Sequence, residues 1–354
     1  MRLRREKRHR IMNDKKIRNL AAAAACALLL SGCRPAESPK TVFDGFTQGT
    51  TFHIVVKGEG ADSLAPKIER AFTEIDNSLS LYNDSSLLCR LNANLTDSVD
   101  THIAYCIEQA AVVSRLSDGM YDVTVKPLTQ AWGFAGKGQV AHPDLDSLLP
   151  LVGYDKIAVE NGRLRKADPR MQIDLNSVAQ GYTADLIGRL LEENGVTDYL
   201  VEVGGEIMCR GTNPRGERWV VGIDRPEEGN NTPGEQLQCL IALEGGNGLV
   251  TSGNYRKFYT DDQGRKVAHT INPKTGMSSV SNLLMATVIA PTSTQADALG
   301  TMFMSLGLEA SLALIPSLGE EIKVLLVYAD EQGDFRSYLS PGMEACIIDM
   351  DKRR

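Results

Sequence analysis

"DYLVEVGG" (198–205) is an alternating, β-branched run that ends in two adjacent glycines, and it reads as a strand. The stretches after it set the fold class. "RWVVGI" (218–223) and "QCLIALEGG" (238–246) are two further strands, reached with no helical period between them. "LMATVIA" (284–290) and "IKVLLVY" (322–328) continue the pattern, separated by a helical stretch from Thr294 to Leu306. Strands joined as hairpins, with helices inserted irregularly, do not make the repeating βαβ unit of a doubly wound sheet. The reading is α+β: mixed, largely antiparallel sheets packed with helices.

Upstream, "TTFHIVVKG" (50–58) is another strand. Leu64, Ile68, Phe72, Ile75 and Leu79 then recur at helical spacing, with Asp62 or Ser63 as N-cap. A second helix carries Ile103, Cys106, Ile107, Ala110, Val113 and Leu116. "MQIDL" (171–175) is strand-like and feeds a helix whose inward residues are Val178, Tyr182, Leu186, Leu190 and Leu191.

The first residues are not fold. Arg2 to Arg18 holds nine Lys/Arg against Glu6 and Asp14, and "LAAAAACALLLSGC" (20–33) comes next. A basic segment, a short apolar segment and a small-residue site make a secretory signal; a bilayer span needs about 20 apolar residues. The expected organisation is a signal peptide at 1–32, a lipidated Cys33 and tether at 33–44, and one domain at 45–354. The Leu30-Ser31-Gly32-Cys33 ending resembles the bacterial lipobox. Without residues 1–32 the chain has 29 basic against 43 acidic residues, a net charge of −14. That acidity argues against a nucleic-acid-binding protein. Five cysteines remain beyond Cys33, with no C-x-x-C spacing, which points away from a zinc or dithiol site.

Four stretches could carry chemistry, and each has a plainer reading. In "GMYDVTVKPL" (119–128), Asp122 either serves a ligand or turns the chain at a strand start. In "IDLNSVAQGYTAD" (173–185), Asp174, Asn176 and Ser177 stand where a strand enters a helix, able to cap it or to leave backbone N–H groups for a phosphate. The glycines of "VEVGGEI" (201–207) allow close approach of either a ligand or a neighbouring strand. In "STQADALGTMFM" (293–304), Asp297 and Thr301 share one helical face. An acid early in a helix suits the dipole alone; together with a backbone carbonyl, the two side chains also make an oxygen donor set for Mg²⁺.

Taken in order, "QGTTFHI", "LSLYNDSSLLCRLN", "GMYDVTVKPLTQAWGF", "VGYDKI", "IDLNSVAQGYTAD", "YLVEVGGEI", "WVVGIDRP", "TSGNYRKF", "HTINPKTG" and "ADALGTMFMSLG" resemble the ApbE family, the FAD:protein FMN transferases. The resemblance runs from Gly45 to the C-terminus. It implies an ApbE-like fold and Mg²⁺-dependent transfer of the FMN half of FAD to a Thr or Ser hydroxyl of a redox-complex subunit, with release of AMP. It also implies a membrane-anchored lipoprotein of the cell envelope facing the periplasm, in keeping with Cys33. Position by position, it assigns Gln48, Tyr82, Met120, Tyr121, Asp122, Asp174, Gln180 and Ile271 to FAD, and Ser177, Asp297 and Thr301 to the metal, Ser177 through its carbonyl.

Two positions depart from the family pattern. Gln180 stands where Lys or Glu is frequent, and Asn272 where Asp is frequent, which moves a charge-based role away from both. His269 is one of four histidines beyond residue 32, with His53, His102 and His142, and is the candidate general base. Two other functions stand beside the transferase: a Mg²⁺-dependent FAD pyrophosphatase, in which water replaces the acceptor hydroxyl at the same site, and a flavin-binding lipoprotein without catalysis. The second needs the FAD pocket but not the metal, and Asp297, Thr301 and His269 together argue against it.

Overall fold

Paired glycine-rich turns and β-branched runs set the order of elements. The computed structural model describes residues 37–350 except 135–142, 228, 231, 233, 255–257, 261–263, 265 and 280, so the signal segment, Cys33 and His142 lie outside the described residues. Lys40–Thr47 (β1) and Thr50–Lys57 (β2) form a hairpin closed by Gln48 and Gly49, whose φ of 50° and 75° suit a two-residue turn. Helices Ala65–Leu79 (α1), Leu87–Asn92 (α2), Thr101–Leu116 (α3), Lys126–Ala131 (α4) and Leu145–Leu148 (α5) come next. Ile157–Glu160 (β3) and Arg163–Lys166 (β4) make a small hairpin before the long helix Asn176–Glu193 (α6). Then come Tyr199–Val203 (β5), Glu206–Arg210 (β6), Trp219–Asp224 (β7), Leu237–Leu243 (β8) and Asn247–Gly253 (β9). Phe258–Thr260 (β10), Lys266–Ala268 (β11) and Leu283–Ala290 (β12) lead to helices Ser293–Leu306 (α7) and Leu308–Leu314 (α8). Lys323–Ala329 (β13), Phe335–Leu339 (β14) and Ile347–Met350 (β15) complete the chain.

Eight strands make one sheet in the order β1-β2-β5-β6-β9-β12-β13-β14, with every neighbouring pair antiparallel. The α+β expectation holds. Both faces of its central strands are covered, and the period of two sorts their residues. Val288, Val324 and Leu326 join a core with Val178 and Tyr182 of α6 and Phe303 of α7. Their neighbours Ile289, Leu325 and Val327 join the opposite core, with Trp219 and Ile241 of the three-stranded β15-β8-β7 sheet. That double burial explains why these strands read as unbroken apolar runs.

The structure departs from the sequence reading at four places. Strand β1 begins at Lys40, so Lys40–Asp44 belong to the sheet rather than to a tether, with Thr41 opposite Val56 and Phe43 opposite Ile54. The 171–175 stretch is extended but joins no sheet among the described residues, and the Asn92 side chain takes the place of a neighbouring strand. Its Nδ2 donates to the Ile173 carbonyl at 2.9 Å and its Oδ1 accepts from the Ile173 N–H at 2.7 Å. Residues 119–125 turn instead of forming a strand. Asp122 Oδ1 accepts from the Thr124 N–H (2.7 Å) and Oγ1 (2.6 Å), and Pro127 opens α4. Neither Asp62 nor Ser63 caps α1: a 3₁₀ turn at Ala61–Leu64 precedes it, and Pro66 in the first turn has no N–H to satisfy.

Candidate active site

A glycine sets the site. Helices α6 and α7 approach so closely at Gly181 that a Cβ there would stand 2.4 Å from the Ser293 carbonyl oxygen and 2.8 Å from Asp297 Cβ. The approach lets Asp297 Oδ2 accept the Gly181 N–H at 3.1 Å. In an α-helix that N–H faces the carbonyl four residues earlier, here Ser177, so the Asp297 carboxylate lies beside the Ser177 carbonyl. Tyr121 approaches from the other side, its hydroxyl 2.9 Å from Ser177 Oγ and 3.5 Å from the Ser177 carbonyl. Thr301 sits half-buried one turn beyond Asp297, and its hydroxyl has no hydrogen-bond partner among the described residues.

Of the three positions assigned to the metal, Asp297 and Ser177 meet around the Gly181 N–H, and Thr301 follows one turn along α7. Asp297 is only 5% exposed, and burial pushes its carboxyl up to about 7; the Gly181 N–H opposes that shift and nearby Asp185 adds to it. A first-turn acid at the surface would show none of this, so the dipole reading of Asp297 fails. A carboxylate, a carbonyl and a free hydroxyl form an all-oxygen donor set with one formal charge, which fits Mg²⁺ completed by substrate phosphates. One turn further along α6, Asp185 accepts from the Ser293 and Thr294 N–H groups, both at 2.9 Å, and caps α7. Burial pushes the Asp185 carboxyl up as well.

A second group lies along α6. Gln48 Nε2 donates to Thr183 Oγ1 at 2.6 Å, which docks the β1–β2 turn on the helix. Gln180 Nε2 would stand 2.6 Å from a Cβ on Gly204, in the β5–β6 turn. Gln48, Gln180 and the paired glycines thus share one region. Of the 120–122 segment, Met120 is anchored to α7 through its carbonyl, which accepts from Ser305 Oγ, and Tyr121 is buried. The Asp122 carboxylate is taken up by Thr124 and by the Tyr154 N–H (2.7 Å), so its side chain braces a loop. Asp174 is tied to this segment by its N–H, which donates to the Val123 carbonyl at 2.8 Å, and its Oδ1 accepts from Asn176 at 2.9 Å. Among the described residues no side chain caps α6 at its N-cap position, Leu175.

The third group is the 269–276 loop. Ile271 is buried with Leu128, Trp132 and Val152, and Trp132 Nε1 donates to the Gly276 carbonyl at 2.7 Å. Asn272 Oδ1 accepts from the Lys274 and Thr275 N–H groups, at 2.9 and 3.1 Å, so the neutral amide does the structural work of this turn. His269 is half-buried and edge-on to Phe134, with ring centres 6.4 Å apart. Its neighbour Thr270 donates to Asn254 Oδ1 at 2.8 Å. Ser252, at the same end of β9, packs against Gly300, the residue before Thr301. Tyr82 stands apart, 78% exposed between α1 and α2, with no hydrogen bond or ring contact to these groups among the described residues. The surface recess lined by Leu91, Leu95, Arg165 and Lys166 contains none of them.

Sequence reading missed Gly181, Thr183 and Asn254. Only the first left a signal, an isolated glycine inside a helical pattern.

The chain matches the ApbE family over residues 48–326. It is 32% identical over 348 residues to the FAD:protein FMN transferase of Salmonella typhimurium, covering 93% of this chain and 97% of that protein. It is 33% identical over 353 residues to the FAD:protein FMN transferase of Klebsiella pneumoniae, with coverage of 93% and 97%. The fold is similar to the flavin transferase ApbE from Vibrio cholerae, with a TM-score of 0.76, 27% identity, and 87% of this chain and 99% of that one covered. It is equally similar to the apo form of the Pseudomonas stutzeri flavinyl transferase ApbE, at a TM-score of 0.76 and 30% identity, with 87% and 96% covered.

Proposed function

The chain belongs to the ApbE family, and from that premise we propose that it is a Mg²⁺-dependent FAD:protein FMN transferase. The acceptor is a Thr or Ser hydroxyl on a redox-complex subunit. Its oxygen forms a bond to the FMN-side phosphorus of the pyrophosphate, the bond to the AMP-side oxygen breaks, AMP leaves, and the hydroxyl proton is released. What supports this reading is the α6–α7 crossing, where Asp297 accepts the Gly181 N–H beside the Ser177 carbonyl, with Thr301 one turn further along α7. Asp297, Thr301 and the Ser177 carbonyl would hold the metal. Magnesium there supplies neutralisation of charge on the pyrophosphate oxygens.

The chain's own residues do the rest. Gln48 and Gln180 border the FAD, with the Ile271 backbone and the 120–122 segment. His269 accepts the proton from the acceptor hydroxyl oxygen. The test is to incubate the full-length chain with FAD, Mg²⁺ and a candidate redox subunit, and to take an intact mass. A gain of one FMN on the subunit is the expected result. AMP and free FMN without that gain would make the protein an FAD pyrophosphatase instead.

The same reading includes a lipid anchor at Cys33 and a position at the envelope membrane facing the periplasm. Among the described residues no helix is long and apolar enough to cross a membrane. Cys33→Ser is expected to abolish acyl labelling and release the protein from membranes, with transfer activity in solution unchanged. Solubility of the unmutated full-length protein without detergent would overturn the anchor.

A further inference from the structure

The paired glycines of "VEVGGEI" close the β5–β6 hairpin with φ of 70° and 106°. Three contacts fix this turn. The Gly204 N–H donates to the Thr51 carbonyl on β2 at 3.0 Å, as an extension of the sheet. The Gly204 backbone packs against Gln180 and Thr50, where a Cβ would stand 2.6 Å from Gln180 Nε2 and 2.9 Å from Thr50 Cγ2. The outer half is fastened by a side chain: the Gly205 N–H donates to Glu202 Oε1 at 2.7 Å.

A glutamate is an unexpected choice there. Glu202 sits half-buried between the fully buried Val201 and Val203, in a strand where Glu is a poor β-former. Burial pushes its carboxyl up; the Gly205 N–H and His53 pull it back, and Asp44 adds to the rise. His53 is directly opposite on β2, and Asp44 is opposite His53 on β1, so the three form one cross-strand row. Across the strands the row sets Glu202 against His53. At the turn its carboxylate is the acceptor that fixes Gly205, the outer of two glycines that have no side chain to pack.

We propose that Glu202 is a positioning residue for flavin binding: its carboxylate fixes the outer half of the Gly204–Gly205 turn, whose inner half packs on Gln180, and so steadies the wall that Gln48 and Gln180 present to FAD. This rests on the transferase reading above.

The test uses the full-length chain in detergent, with FAD binding followed by flavin fluorescence and the Gly205 amide followed by hydrogen exchange. Glu202→Ala is expected to weaken FAD binding about tenfold and speed Gly205 exchange, with kcat at saturating FAD kept within about threefold. Glu202→Gln, which retains an oxygen acceptor, restores most of the affinity. Unchanged affinity and exchange in the alanine variant overturn the clamp, and so does a glutamine variant as weak as the alanine one. An unmutated chain that does not bind FAD overturns the transferase reading, and the positioning role with it, while faster Gly205 exchange in Glu202→Ala would still identify the clamp.

Discussion

Asp297→Asn removes magnesium-dependent FMN transfer while preserving or raising the melting temperature of the magnesium-free protein. The two halves of that result have one cause. Asp297 is buried, with one hydrogen bond from the Gly181 N–H and a second carboxylate, Asp185, close enough to raise its pKa further. Without a cation, an ionised group in such a place destabilises the fold. Asn has the same shape and keeps an oxygen for the Gly181 N–H, so the fold loses a charge rather than a contact. Transfer, by contrast, loses the one formal negative charge in the metal corner. The expected fall is about 10²–10³-fold, the scale for removing one preorganised group that stabilises developing charge. Turnover with saturating Mg²⁺ and melting in a chelator, measured on the same preparation, separate the two effects. Full activity of the variant would remove the metal from this corner; a collapse in melting temperature would show that the carboxylate is structural.

The strands were legible because apolar runs report burial. β5, β7, β8, β12 and β13 all fall where their β-branched stretches predict them. What local pattern hid was the partner of each segment. "MQIDL" has the composition of a strand, yet the group that satisfies Ile173 is the side chain of Asn92, 81 residues earlier. The partners of the Asp122 oxygens, Thr124 and Tyr154, were likewise hidden, the second lying 32 residues away. The metal corner shows the same limit from the other direction. The i, i+4 spacing put Asp297 and Thr301 on one face of α7, and the family resemblance added Ser177. Nothing in the spacing says that Gly181 brings the two helices into backbone contact, which is a matter of tertiary approach. A carboxylate that reads as a surface cap in the sequence becomes a buried acceptor of the Gly181 N–H because of one missing side chain on another helix.

His269→Ala is expected to slow FMN transfer by about 10²–10⁴-fold, the range for loss of a general acid–base group, with FAD affinity little altered. The reaction must take a proton from a Thr or Ser hydroxyl near neutral pH, and an imidazole, with an ordinary pKa of about 6.5, is the side chain suited to it. The other described histidines lie in different parts of the fold: His53 pairs with Asp44 on the outer strands, and His102 meets the Tyr182 hydroxyl at 2.8 Å. His269 lies instead on the loop after β11, and that loop is held firmly. Thr270 is bonded to Asn254, the Asn272 side chain closes the next turn, and Trp132 grips Gly276. Phe134 meets the imidazole edge-on and restricts its swing. A rigid loop around a half-buried imidazole, linked through Asn254 and β9 to the helix that carries Thr301, is what a base needs if it is to meet an incoming hydroxyl without reorganising. Single-turnover transfer and equilibrium FAD binding should be measured on the same variant. A rate defect at saturating FAD, with affinity retained, identifies His269 as the base. A loss of FAD affinity that accounts for the whole defect would make it a positioning residue, since a group that acts only on the acceptor's proton takes no part in binding the flavin.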